Sequence, residues 1–73
     1  MTDKPILTLA NNDNEILACH VLERYGIKTV NDLTQFITEN SGGWGELIER
    51  FRGMGPAKMI AVREMVQRAG LIK

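Results

Sequence analysis

The sequence predicts an all-α fold, a compact bundle of four to five short helices. Three observations carry that reading. Apolar residues recur at three- and four-residue spacing in successive segments. Capping residues stand before those segments and glycines after them. Beyond the first ten residues no segment alternates apolar and polar residues in the way a half-buried strand does. A chain of 73 residues makes one domain with a small core, and the connections between the periodic segments are short.

Taken in order, residues 1–10 hold the short apolar run Ile6-Leu7-Thr8-Leu9. It reads as an N-terminal arm, either packed on the core or frayed. The helical domain spans 11–73. Asn11-Asn12-Asp13-Asn14 opens it, and Asn12 followed by Glu15 is close to a capping box. Ile16, Leu17, Ala18, Cys19, Val21, Leu22 and Tyr25 recur at helical spacing, and Gly26 stops this first helix. Thr29 with Asp32 predicts the second cap. The second helix then runs from Val30 to Glu39, with Val30, Leu33, Phe36 and Ile37 on one face. Asn40-Ser41-Gly42-Gly43 is a loop. A third helix is expected from Trp44 to Phe51 or Arg52. Pro56 suits a first helical position, because its φ is preset and no N–H partner is needed there. The fourth helix is expected over Pro56–Ala69, with Met59, Val62, Met65, Val66 and Ala69 facing inward. Gly70 ends it, and Leu71-Ile72 folds back onto the core.

Composition narrows the function classes. The single Cys19 forms no intramolecular disulfide, which fits a reducing, cytoplasmic setting. No basic segment leads into a long apolar one, so neither a signal peptide nor a membrane span is expected. No cluster of metal-ligating residues, no cofactor motif and no acid, base or nucleophile constellation is visible, so no cofactor and no catalytic role are expected. The formal net charge is zero but unevenly spread: residues 1–49 hold three basic and eight acidic residues, −5, and residues 50–73 hold six basic and one acidic, +5. Such asymmetry either presents an anion-facing side or lets the two halves attract each other.

The basic half contains Arg52-Gly53-Met54-Gly55-Pro56-Ala57-Lys58, a tight turn between two helices. Glycine takes positive φ without a Cβ clash, and the open N–H groups at a helix N-terminus attract anions such as phosphate. Gly53-Met54-Gly55-Pro56-Ala57-Lys58 resembles the glycine turn of helix-hairpin-helix DNA-binding motifs, with 44–70 as the whole unit. A longer likeness covers residues 14–71: Leu22, Ile27, Asp32-Leu33, Gly55 and Gly70-Leu71 resemble, in order, the C-terminal domain of the bacterial RNA polymerase α subunit, a SAM-like fold. Leu47-Ile48-Glu49-Arg50-Phe51 and the turn also resemble the N-terminal helical region of RadC-type proteins. The polymerase family grips the minor groove with an Arg and an Asn on its first helix, and Leu17 and His20 stand at those positions here.

These resemblances imply a small nucleic-acid-binding accessory or regulatory module. Its expected contacts with DNA phosphates are Arg50, Arg52, Gly53, Met54, Gly55, Ala57, Lys58 and Arg63, with double-stranded DNA bound non-specifically or weakly specifically. Contacts of this kind position a protein on nucleic acid without reading sequence. The alternative is a protein-interaction module for a replication, recombination or transcription enzyme without direct DNA contact, which the net charge of zero and the acidic first half favour. More modest roles stand beside these: the turn as a plain helix–helix connection, His20 as an exposed residue without a role, Trp44 as a lid on a small core, Met59 and Met65 as core filling, and Cys19 as a small buried residue.

Overall fold

Short-range hydrogen bonds set where the first two helices begin. In a computed structural model that describes residues 3–71, helix α1 runs over Asp13–Arg24, α2 over Val30–Glu39, α3 over Trp44–Glu49 and α4 over Pro56–Arg68. Among the described residues the chain is all-α, with no strand. At α1, the Asn12 side chain accepts the Glu15 N–H at 3.0 Å. The Glu15 carboxylate reaches back to the Asn11 N–H at 2.8 Å and to the Asn12 amide at 3.0 Å. This is a capping box displaced by one residue. At α2 the box is complete: Asp32 N–H donates to Thr29 Oγ1 at 3.1 Å, and Thr29 N–H donates to Asp32 Oδ2 at 3.3 Å.

The glycine stops work as expected. Gly26 and Gly70 have φ of 89° and 73°. Each closes a Schellman motif, in which Ile27 N–H donates to Leu22 O at 3.0 Å and Leu71 N–H to Val66 O at 2.9 Å. Ile27 is buried and Leu71 packs against the core. Ile72, the other residue expected to fold back, lies outside the described residues.

The core is one cluster. Ile6 from the first segment, Ala18, Cys19 and Leu22 from α1, and Leu33 and Ile37 from α2 meet Trp44 and Ile48 from α3 and Met59, Val62, Met65 and Val66 from α4. α1 and α4 form the principal pair, with α3 against α4. The first ten residues are part of this packing. Ile6–Leu9 forms a 3-10 turn with Ile6 buried, Ile6 N–H donates to Lys28 O at 3.0 Å, and Val30 N–H donates to Lys4 O at 2.8 Å. Among the described residues no helix is long and apolar enough to cross a membrane.

Two expectations shift. α3 ends at Glu49 rather than Phe51 or Arg52, because Arg50 and Phe51 close the helix through i→i−3 bonds to Leu47 and Ile48. Ala69 is exposed rather than inward-facing: it is the C-cap of α4, where the chain already leaves the helix.

Candidate functional site

The α3–α4 turn is held from below by the end of α1. Tyr25, the C-cap residue of α1, stacks on Phe51 with ring centroids 4.1 Å apart and planes 3° from parallel. Its hydroxyl accepts the Arg52 N–H at 2.7 Å. Phe51 meets Phe36 edge-on at 6.1 Å. The aromatic ladder therefore fixes where the chain leaves α3. Gly53 follows with φ of 93°, and Met54 N–H donates to Phe51 O at 3.0 Å. Met54 itself is partly buried against the core.

The two glycines of the turn do different things. Gly53 alone needs positive φ. It also lies under the Arg24 guanidinium and beside Val21, so that a Cβ at this position would sit 2.9 Å from Arg24 Nη2. Gly55 is the N-cap of α4 with φ of −85°, and a Cβ there would meet nothing within 4 Å. Neither backbone nor packing requires a glycine at that position. Beyond it, Pro56 has no N–H, and the N–H groups of Gly55, Ala57 and Lys58 find no acceptor among the described residues. The Met54 N–H, by contrast, is taken up inside the turn.

The expected basic residues are distributed unevenly. Lys58 folds back over the turn and donates to Gly53 O at 3.0 Å. Arg52 is exposed on the turn. Arg24, which the sequence did not single out, joins them from α1. None of the three has a carboxylate partner among the described residues. Arg50 is exposed and lines a groove along the α2–α3 loop with Glu39, Asn40 and Glu46. Arg63 lies 5.5 Å above the Trp44 ring and 3.9 Å from Glu49. The structure thus brings the Arg24 guanidinium and the Lys58 ammonium to Gly53, which Arg52 precedes in the chain, and holds Arg63 against α3. Ala57 is exposed in the first turn of α4. Glu49 lines the shallow cleft formed with Met54, Gly55, Pro56 and Met59, so one edge of the turn carries negative charge.

The signal for Arg24 was weak in the sequence. It is one basic residue in an acidic half, and only the packing of α1 under the turn gives it a place. Leu17 and His20 are exposed on α1, as is Ile60 on α4. No group of three or more His, Cys, Asp or Glu residues that could hold a metal ion occurs among the described residues.

The strongest electrostatic feature lies elsewhere. Glu15 is only 1 % exposed and is paired with Arg68, which also donates to Leu9 O. The hydrogen bond from Arg68 holds the Glu15 carboxyl below its ordinary value despite burial, helped by the Asn11 N–H. Cys19 is fully buried, and desolvation pushes its thiol up to about 11, with Glu23 and Glu15 adding to the shift. Both groups are structural: neither faces the turn.

No protein-family model, curated protein or solved structure matches the chain.

Proposed function

We propose that the chain is a small nucleic-acid-binding accessory or regulatory module, acting in the cytoplasm without catalysis, whose α3–turn–α4 unit works as a helix-hairpin-helix. One phosphate of a DNA duplex is received by the open N–H groups of Gly55, Ala57 and Lys58. The Lys58 side chain, Arg52 and Arg24 flank it. The observation that carries this reading is the convergence on Gly53 of cations without carboxylate partners, next to a helix start whose N–H groups are unfilled. The helix terminus adds about 0.3–1 kcal/mol toward an anion at a surface. Gly55 fits the same reading, since a position that needs no glycine for the fold leaves the backbone open to close approach.

A few phosphate contacts give weak, salt-sensitive binding. Useful affinity comes from a second copy, a second site or a larger partner. The test is a titration of short duplex DNA into isotope-labelled protein at low and moderate salt. Salt-sensitive amide shifts centred on Arg52–Lys58 are expected, and Lys58→Glu weakens binding several-fold with the fold intact. Unmoved amides at low salt overturn the reading.

The second reading, a protein-interaction module for a replication, recombination or transcription enzyme, draws on the exposed Ile16 and Leu17 of α1 and Ile60 of α4. In the same titration it predicts silence with DNA.

A further inference from the structure

We infer that Tyr25 is a stacking platform for one unpaired nucleobase, so that the nucleic acid gripped by the turn carries a single-stranded segment beside its duplex. This rests on the nucleic-acid reading above and extends it to the kind of nucleic acid.

One face of the Tyr25 ring is covered by Phe51, in nearly parallel contact at 4.1 Å, yet 47 % of the residue stays exposed. Among the described residues no further aromatic ring and no cation lies over the other face. The ring is also immobilised. Phe51 beneath it is braced edge-on by Phe36, both phenylalanines pack on the core, and the Tyr25 hydroxyl is held by the Arg52 N–H at 2.7 Å. A ring fixed in this way gives up little freedom when another flat group adds to the stack. The ladder Phe36–Phe51–Tyr25 rises from the core and stops at the surface, one ring short of being covered.

Charge decides what would cover it. Arg24 precedes the ring in the chain and has its guanidinium over Gly53, and Arg52 is bonded to the ring's hydroxyl through its backbone. Neither arginine has a carboxylate partner among the described residues. An occupant with a flat π face and negative charge suits a ring next to these cations, and a nucleotide with its flanking phosphates has that form. Base-on-aromatic stacking of this type tolerates any base, because every base has a π face. A base inside a duplex keeps both faces covered by its neighbours, whereas an unpaired base has a face free to take the place.

The experiment compares three labelled DNAs: a short blunt duplex, the same duplex with a single-stranded tail, and the same tailed duplex with the tail bases removed to leave abasic sugars. The intact tail is expected to bind roughly tenfold tighter than the abasic tail, which has the same phosphates. Tyr25→Leu removes that difference between intact and abasic tails, whereas Tyr25→Phe keeps it. The chain has one tyrosine, so its ring-proton resonances need no separate assignment, and they move upfield with the intact tail alone. This readout uses the unaltered protein and decides the matter if Tyr25→Leu does not fold. Equal affinity for intact and abasic tails, or an unmoved tyrosine ring, overturns the stacking platform and leaves the duplex reading standing. Absence of binding to all three DNAs overturns both.

Discussion

Glu15 is the one buried charged residue among those described. A carboxylate taken out of water is costly unless its oxygens are filled. Here they accept from the Asn11 N–H, the Asn12 amide and the Arg68 guanidinium. Those bonds tie the start of α1 to the end of α4, and Arg68 extends the tie to Leu9 O in the first segment. Glu15→Gln keeps the shape and loses the charge. It is expected to lower stability by roughly 1–2 kcal/mol by urea unfolding near neutral pH, at the low end of the range for charged hydrogen bonds because Arg68 is partly exposed. The sign of the pH effect follows from the depressed carboxyl. The unfolded state takes up the proton first, so the contribution is complete above the ordinary carboxylate range, about pH 5 and higher, and is lost as pH falls through the folded value. The gap between Glu15→Gln and the unaltered protein should therefore close in acid. A gap of constant size would mean that Glu15 acts by shape alone. Asn12 and Glu15 were legible as a cap because their bond is local. The Arg68 contact was not, since it joins residues 53 apart in sequence.

The turn between α3 and α4 separates structural from functional glycine. At Gly53 an alanine would take a left-handed conformation and displace the Arg24 guanidinium. Gly53→Ala is expected to cost about 1–2 kcal/mol in urea unfolding. Gly55→Ala should cost nothing, or gain about 0.5 kcal/mol by restricting the unfolded chain. Under the proposed function it nevertheless weakens duplex binding, because the new methyl group stands where the phosphate approaches. A Gly55→Ala protein that binds as before would remove the helix start from the interface. The sequence pattern marked both glycines alike, since spacing shows that a turn exists and not which residue bears its strained dihedral. The early end of α3 was illegible for a similar reason. Phe51 is apolar at helical spacing, but its N–H closes the helix on Ile48 O and its ring joins the Tyr25 stack.

At the scale of the whole molecule, Cys19 reports on the integrity of the core. Its sulfur lies 3.6 Å from Ile6 O and 3.8 Å from Met65 Sδ, at the junction of α1, α4 and the first segment. A thiol reagent reaches it only when that junction opens. Labelling is expected to be slow in native protein and rapid in urea, and Glu15→Gln should speed it in proportion to the stability lost. Rapid labelling of native protein would show that the first segment leaves the core easily. The raised thiol adds an alkaline limit: its contribution to stability is complete below the ordinary thiol value and is lost as pH rises toward 11. What the sequence determined by itself were the helices, their caps and their glycine stops, because those depend on residues three to five apart and on the period of apolar positions. What only the tertiary structure decided was which charges meet. Arg24 and Tyr25 reach the turn because α1 packs beneath it, Arg63 is drawn to Trp44 and Glu49, and Glu15 finds Arg68. No local pattern contains those pairings, since the chain brings them together only by burying one shared core.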